Sequence, residues 1–279
     1  MSTIISSARL LAGCILSGLA CTALSVEVAA QQKVSSPDFS SNQVAWFGIG
    51  GEYVEVPGGP RIVANDPAHP YVPNGAGAQP TYRIADLTNP NLKPWVKEVM
   101  KKDNAEVLAG KIAYTARSSC KPAGVPGFMS FGMFQPIFFI QSHKQVSIIF
   151  SGDQQVRRVY LDVPHSASPK PSWYGESVGH YEDDTLVVDT IGLNTNTFVD
   201  NYRTPHSEKL HVVERWKMTD DGKMLEVTFR VEDPDTFYEP WSAMRRYRRV
   251  QQPMHEEVCA ENNQHLFNYH IPIANKPDF

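Results

Sequence analysis

The sequence predicts an all-β protein, an antiparallel meander closed into a lipocalin-like barrel or folded into a sandwich. Between residues 136 and 250 it contains eight short segments rich in β-branched and aromatic residues. Turn signals leave mostly short connections between these segments, so neighbouring strands are expected to be antiparallel. No helical pattern alternates with the strands, as a βαβ fold would require. Closing such a meander removes its exposed edges.

The first element, residues 1–30, has the organisation of a secretory signal peptide. Arg9 precedes the apolar run LLAGCILSGLACTALS, and the small-residue sequence VAA comes before a polar stretch that begins at Gln31. This run falls short of the roughly 20 residues of a spanning helix, so cleavage near Gln31 is favoured over a membrane anchor. Lipidation at Cys14 or Cys21 is a further alternative. We expect a periplasmic or secreted protein with no membrane span after cleavage.

Two further regions follow and are expected to form one domain. Residues 31–125 are rich in Gly, Pro, Asn and Ser near their start, which predicts an extended wrapping segment. One or two short helices are expected around PWVKEVMKKDNAEVL, where proline stands near the start of a helical pattern. Residues 126–279 are expected to hold the barrel core, with a C-terminal cap at EVCAENN.

The mature chain keeps two of the four cysteines, Cys120 and Cys259. In an oxidising compartment they are expected to form a disulfide, and two separate buried thiols are the alternative. No cysteine or histidine cluster has the spacing of a zinc site, and no nucleotide signature is present. We therefore expect neither a metal nor a cofactor.

The charge pattern argues against a nucleic-acid partner. The full chain has a formal net charge of −4, and its lysines and arginines are scattered except in RRYRRV, residues 245–250. This short run is expected to be either the solvated face of an edge strand or a grip for an anion.

Four sequence blocks occur in order along the second half of the chain: GESVGHYEDDTLVVDT, PHSEKLHVVERW, VEDPDTFYEPW and CAENN. On these blocks the chain resembles a large group of secreted bacterial β-rich proteins, most of them uncharacterised. The resemblance covers roughly residues 115–265 and implies a secreted, β-rich protein. It assigns no catalytic residue. Members of the group commonly have Gly-Asp where this chain has Asp183-Asp184, so the turn geometry is expected to differ.

The first block predicts a hairpin with Asp183-Asp184 as its turn, which pairs Glu182 with Thr185 and His180 with Val187. One face then carries Glu176, Val178, His180, Glu182, Thr185, Val187, Asp189 and Ile191. The uncharged face, with Ser177, Gly179, Tyr181, Leu186, Val188 and Thr190, is expected to face the core.

The charged face of this hairpin has three interpretations. Its charges can be simply solvated, form a structural network, or form an acid/base site in which His180 lies between Glu176 and Asp189. The presence of apolar residues on the same face suggests that another segment, such as the N-terminal wrapping segment, covers it.

A second candidate lies in PHSEKLHVVERW, where Glu214 shares a strand face with Leu210, Val212 and Trp216. A carboxylate in such surroundings requires a partner or a raised pKa. Glu214 is therefore expected to be either a buried salt-bridge member, with Arg245 as its partner, or a catalytic acid.

These patterns lead to two expected functions. The first is a cofactor-free lyase, hydratase or isomerase acting on a small apolar or aromatic molecule in the barrel, and the second is a non-catalytic carrier of such a molecule. The candidate catalytic residues are Glu176, His180, Asp189 and Glu214. Ligand cavities commonly have apolar and aromatic walls with a few polar groups that orient the ligand. The candidate substrate-binding residues are His206, Arg215, Arg245, Phe131, Met133 and Trp216.

Overall fold

The computed structural model describes residues 36–40, 43–71, 83–113, 115–131, 135–152, 154–259 and 273–274. Residues 35–279 belong to one compact unit. Several of the predictions fall outside the described residues: the signal peptide with Cys14 and Cys21, Met133, and most of the EVCAENN cap.

The described elements are one α-helix, two 3₁₀ turns and twelve strands. The helix α1 spans Pro94–Leu108, and the 3₁₀ turns span Ala116–Ser119 and Gly127–Phe131. The first five strands are β1 Val44–Gly48, β2 Val54–Glu55, β3 Ile112–Ala113, β4 Ile137–Gln141 and β5 Gln145–Phe150. The others are β6 Val156–Leu161, β7 Glu176–Glu182, β8 Thr185–Ile191, β9 His211–Thr219, β10 Met224–Glu232, β11 Trp241–Gln251 and β12 Ile273–Ala274.

Nine strands form a closed barrel, which confirms the predicted fold class. The order is β1-β4-β5-β6-β7-β8-β9-β10-β11, and β1 pairs with β11 to close the ring. The eight predicted strands correspond to β4 through β11. The ninth, β1, lies in the segment expected to be wrapping, and it supplies the closing strand because both of its edges are hydrogen-bonded.

The barrel departs from a pure antiparallel meander at one connection. Strands β6 and β7 are parallel, with Val159 opposite Ser177 and Leu161 opposite Gly179, whereas the other barrel neighbours are antiparallel. Parallel neighbours need a crossover of a dozen or more residues. Residues 162–175 form this crossover, and they lie beside the candidate site described below.

The hairpin formed by β7 and β8 has the predicted register, with Glu182 opposite Thr185 and His180 opposite Val187. Asp183 occupies the left-handed region at φ 52°, a conformation that Asp tolerates better than most residues. The predicted inner face is also confirmed, since Leu186 and Val188 are both fully buried.

Side chains fill the barrel interior. Trp216 is fully buried, and its ring lies 5.5 Å from that of Phe139 and 5.9 Å from that of Tyr247, centroid to centroid. Met129 and Phe150 are buried in the same cluster. Apolar burial of this extent is the main stabilising contribution to the fold.

The helix α1 begins at Pro94, where the missing N–H is not needed, and buries Val96, Met100 and Val107. Asn104 in its third turn accepts a hydrogen bond from the backbone N–H of Ala85 and donates one to the Ala85 carbonyl, at 3.0 and 2.9 Å. This pair of bonds fixes the helix to the segment that precedes it.

Candidate functional site

The residues predicted to form a site on the hairpin are only partly brought together. His180 is exposed and lies 3.0 Å from the Glu182 carboxylate, which also accepts a hydrogen bond from Arg215 at 2.7 Å. Glu176 and Asp189 lie elsewhere on the same outer face, and a different imidazole joins them.

His165, from the crossover between β6 and β7, lies between Glu176 and Asp189. Its Nδ1 is 3.0 Å from Glu176 Oε1, and its Nε2 is 3.0 Å from Asp189 Oδ1. The next residue, Ser166, donates its backbone N–H to the same Glu176 oxygen at 2.7 Å. The crossover therefore reaches this face and brings an imidazole to the position expected for His180.

The arrangement continues across two more strands. His211 of β9 places Nε2 2.9 Å from Asp189 Oδ1 and Nδ1 3.4 Å from Glu232 Oε2 on β10. Five groups thus alternate along the outer surface, and we call them the imidazole–carboxylate chain: Glu176, His165, Asp189, His211 and Glu232. Each side chain is between about one fifth and two fifths exposed.

In the imidazole–carboxylate chain, neighbouring side chains must share protons for all the hydrogen bonds to form at once. A neutral imidazole has one N–H, so it can donate to only one of two flanking carboxylates. Both bonds of His165 form at once when the ring is protonated or when a carboxylate holds a proton. The same holds for His211. A proton can therefore move along the chain between neighbouring groups without breaking its geometry.

Hydrogen bonds shift the pKa values of Glu176, Asp189 and His211 toward their charged forms. Hydrogen bonds from Ser166, and then from His165, hold the pKa of Glu176 below its usual range. Partial burial acts to raise the pKa of Asp189, but the hydrogen bonds from His211 and His165 outweigh it, so that pKa is lowered. The hydrogen bond to Asp189 raises the pKa of His211.

A groove of about 550 Å³ lies beside the Glu176 end of the imidazole–carboxylate chain. Glu176 belongs to both, so a bound molecule can reach the carboxylate that His165 holds. Trp173, Tyr174 and Tyr160 contribute aromatic surface to the groove. Its other lining residues are Pro122, Gln155, Val156, Arg158, Ser166, Ser168, Lys170, Ser172, Gly175 and Ser177.

Glu214 faces the interior, as its strand pattern predicted, but the expected partner was wrong. Both Glu214 oxygens accept hydrogen bonds from Arg157 of β6, one of them at 2.9 Å. Arg157 also donates to Thr190 and Ser177, so a polar belt crosses the inner faces of β6 through β9. Arg245 instead donates to backbone carbonyls, including those of Met129 and Glu52.

The remaining candidates that the structure describes do not line the groove. His206 is buried and bonded to Thr197 and to the Ser207 carbonyl, and burial lowers its pKa. Trp216 belongs to the core. Phe131 lies in the second 3₁₀ turn, and Met133 falls outside the described residues.

Sequence reasoning missed His165 and His211 as site residues. His211 could have been found, because it alternates outward on a strand whose inner face was recognised. His165 lies in DVPHSASPKPSW, which has no periodicity, so nothing in that stretch predicted its position.

No protein-family model, curated protein or solved structure matches this chain. Within the ranges that the structure describes, no group of three or more His, Cys, Asp or Glu side chains is arranged to hold a metal ion. The described helix is too short and too polar to cross a membrane.

The raised pKa of His211 predicts a pH dependence of stability. A group whose pKa rises on folding stabilises the folded state below its unfolded pKa, about 6.5 for histidine, and this contribution disappears as pH rises through the folded pKa. Replacing His211 with Asn should therefore lower the melting temperature more below pH 6 than above pH 8. Thermal unfolding of both proteins across this range measures the difference.

The exposed His143, in the turn between β4 and β5, supplies a matched control. His143→Asn should leave the pH profile unchanged. An equal loss of stability for His211→Asn at both ends of the range would contradict the assigned hydrogen bond to Asp189.

Proposed function

We propose that the protein is a periplasmic or secreted enzyme that performs cofactor-free acid/base chemistry on a small apolar or aromatic molecule. The reaction class is that of a lyase, hydratase or isomerase. The observation that carries this proposal is that Glu176 lies both in the groove and at the end of the imidazole–carboxylate chain. The barrel interior is filled by side chains, which supports a binding position in the groove and not inside the barrel.

The roles follow from position. Glu176 is the catalytic residue, because it is the member of the imidazole–carboxylate chain that lines the groove. His165 is a positioning and proton-relay residue that acts through Glu176, since an imidazole is the side chain whose charge changes most readily between pH 5 and 8. Asp189 holds the opposite nitrogen of that ring. A proton accepted by Glu176 passes to His165, and His211 and Glu232 extend the path along the surface.

The location outside the cytoplasm is supported by two observations. The leader pattern in residues 1–30 is that of an exported protein. The disulfide between Cys120 and Cys259 is of a kind that persists in oxidising compartments.

A non-catalytic carrier of the same molecule is the second candidate. The aromatic lining formed by Trp173, Tyr174 and Tyr160 favours it, because aromatic walls bind a ligand whether or not a neighbouring group transfers protons. Replacing His165 distinguishes the two functions, because it should lower the turnover of an enzyme and leave the ligand binding of a carrier nearly unchanged.

The test uses the mature protein, residues 31–279, and a library of small aromatic and apolar molecules whose conversion is followed by proton NMR. For any converted molecule, His165→Asn should lower kcat by about 10² to 10⁴ while binding changes only a few fold, because the relay is lost and the groove is kept. His143→Asn serves as the matched control and should keep full activity.

Two outcomes would contradict the proposal. Binding without conversion across the library would identify a carrier. Conversion that survives His165→Asn but is lost in His180→Asn would move the reaction to the His180 and Glu182 pair on the exposed part of the hairpin.

A further inference from the structure

Two of the residues that line the groove are cations. Arg158 of β6 and Lys170 of the crossover are exposed and line the groove. Within the part of the chain that the structure describes, neither has a carboxylate within ion-pair distance. Two positive charges therefore line one concave site, and the groove's acidic residue, Glu176, is bonded to His165 and Ser166 and not to either of them.

On the outer faces of β9, β10 and β11, four cations are paired with carboxylates. Arg215 pairs with Glu182, Lys217 with Asp184, Arg230 with Glu232 and Arg246 with Glu226, each at 3.0 Å or less. Arg248 and Arg249 of β11 are exposed without a described carboxylate partner, but each lies over an aromatic ring, that of Phe47 or Trp46. What sets Arg158 and Lys170 apart is that they line one groove together.

The aromatic lining lies on the same groove. Tyr160 is 46% exposed, which is unusual for a large ring on a strand that already has two neighbours, and it stands two residues from Arg158. Trp173 and Tyr174 add two more rings from the crossover. A planar ring can pack on these side chains while an attached anion reaches the cations.

We infer that the groove binds a small aromatic molecule carrying a carboxylate, with Arg158 and Lys170 holding that carboxylate. This inference rests on the proposed function for the choice of groove and names its substrate class. Guanidinium groups match carboxylates in a two-pronged geometry, and an ammonium adds a second charge. Because Glu176 is negatively charged, it repels the ligand's carboxylate and leaves the uncharged part of the ligand on its own side.

The test compares aromatic carboxylates with their carboxamides, which have nearly the same shape and no charge. The panel includes indole-3-acetate with indole-3-acetamide and phenylacetate with phenylacetamide, and binding to the mature protein is measured by ligand-observed NMR and calorimetry. At least one acid should bind about tenfold or more tightly than its amide, which is the effect of one or two charge-assisted hydrogen bonds. High salt should reduce this preference.

Variants identify the residues responsible. Arg158→Gln combined with Lys170→Gln should abolish the preference for the acid. The matched control, Arg61→Gln combined with Lys144→Gln, removes two exposed cations away from the groove and should keep the preference.

The inference is overturned if no acid in the panel binds more tightly than its amide, or if the preference survives in the groove variant. These results are independent of turnover. A carboxylate preference without conversion supports the binding site and rejects the proposed enzyme. Conversion of neutral molecules without such a preference supports the enzyme and rejects the carboxylate site.

Discussion

Replacing Glu214 with Gln is expected to lower the free energy of unfolding by about 3–5 kcal/mol, the usual cost of leaving one member of a buried ion pair without its partner. Arg157 and Glu214 are 2% and 0% exposed, so water cannot replace the lost charge. For a chain of this size the melting temperature should fall by on the order of 10 °C. Urea unfolding of the two proteins measures the difference directly.

The same substitution at Glu182 provides the control. Glu182 pairs with Arg215 on the exposed surface, where an ion pair contributes little, so Glu182→Gln should leave the urea unfolding midpoint essentially unchanged. A second variant, Arg157→Met with Glu214→Leu, should recover most of the loss because no buried charge remains. A Glu214→Gln protein as stable as wild type would show that the ion pair is not buried.

This pair shows where sequence reasoning succeeded and where it stopped. Glu214 could be recognised because it alternates with Val212 and Trp216 on one strand face. Its partner could not, because Arg157 lies on β6, and the contact with Glu214 of β9 passes over the two strands between them, which no local pattern in either strand encodes. The parallel pairing of β6 with β7 depends on the crossover, whose sequence has no periodic pattern.

The closing strand was missed for a different reason. In β1, Val44, Ala45 and Trp46 are all buried, so the alternation that marks a strand is absent. Ala45 packs outside the barrel against Phe138 and Ile149, which covers the face expected to be polar. The hairpin of β7 and β8 was predicted in full because its turn and its alternation are both visible in the sequence.

The candidate site was predicted in part for the same physical reason. Glu176 and Asp189 lie on a strand pair whose register the turn determines, so their common face could be derived. His165 reaches them from residues 162–175, across a tertiary contact that no local pattern encodes. The histidine that lies between Glu176 and Asp189 is therefore His165 and not His180.

Removing the disulfide is expected to have an effect of similar size. Cys120 and Cys259 are bonded across a sequence separation of 139 residues, and closing a loop of this length restricts the unfolded chain by about 5 kcal/mol in the chain-entropy model. The double substitution Cys120→Ser with Cys259→Ser should lower the free energy of unfolding by up to this amount. Urea unfolding under non-reducing conditions measures the loss.

Hydrogen bonds near the disulfide determine whether the folded variant opens locally when the bridge is removed. After β11, Gln252 donates its backbone N–H to the Gln43 carbonyl at 2.7 Å, and Gln154 donates to the His255 carbonyl at 2.5 Å. These bonds hold residues 252–255 against the barrel without the bridge, so the folded variant should keep the barrel and its hydrogen-exchange protection in β9 and β10. The main change should be in the unfolded state, which the disulfide no longer restricts.

Adding a reductant should bring the wild-type protein to the stability of the variant and leave the variant unchanged. Mass spectrometry that finds Cys120 and Cys259 as free thiols, or a reductant that leaves wild-type stability unaltered, would show that the bridge is not part of the folded protein.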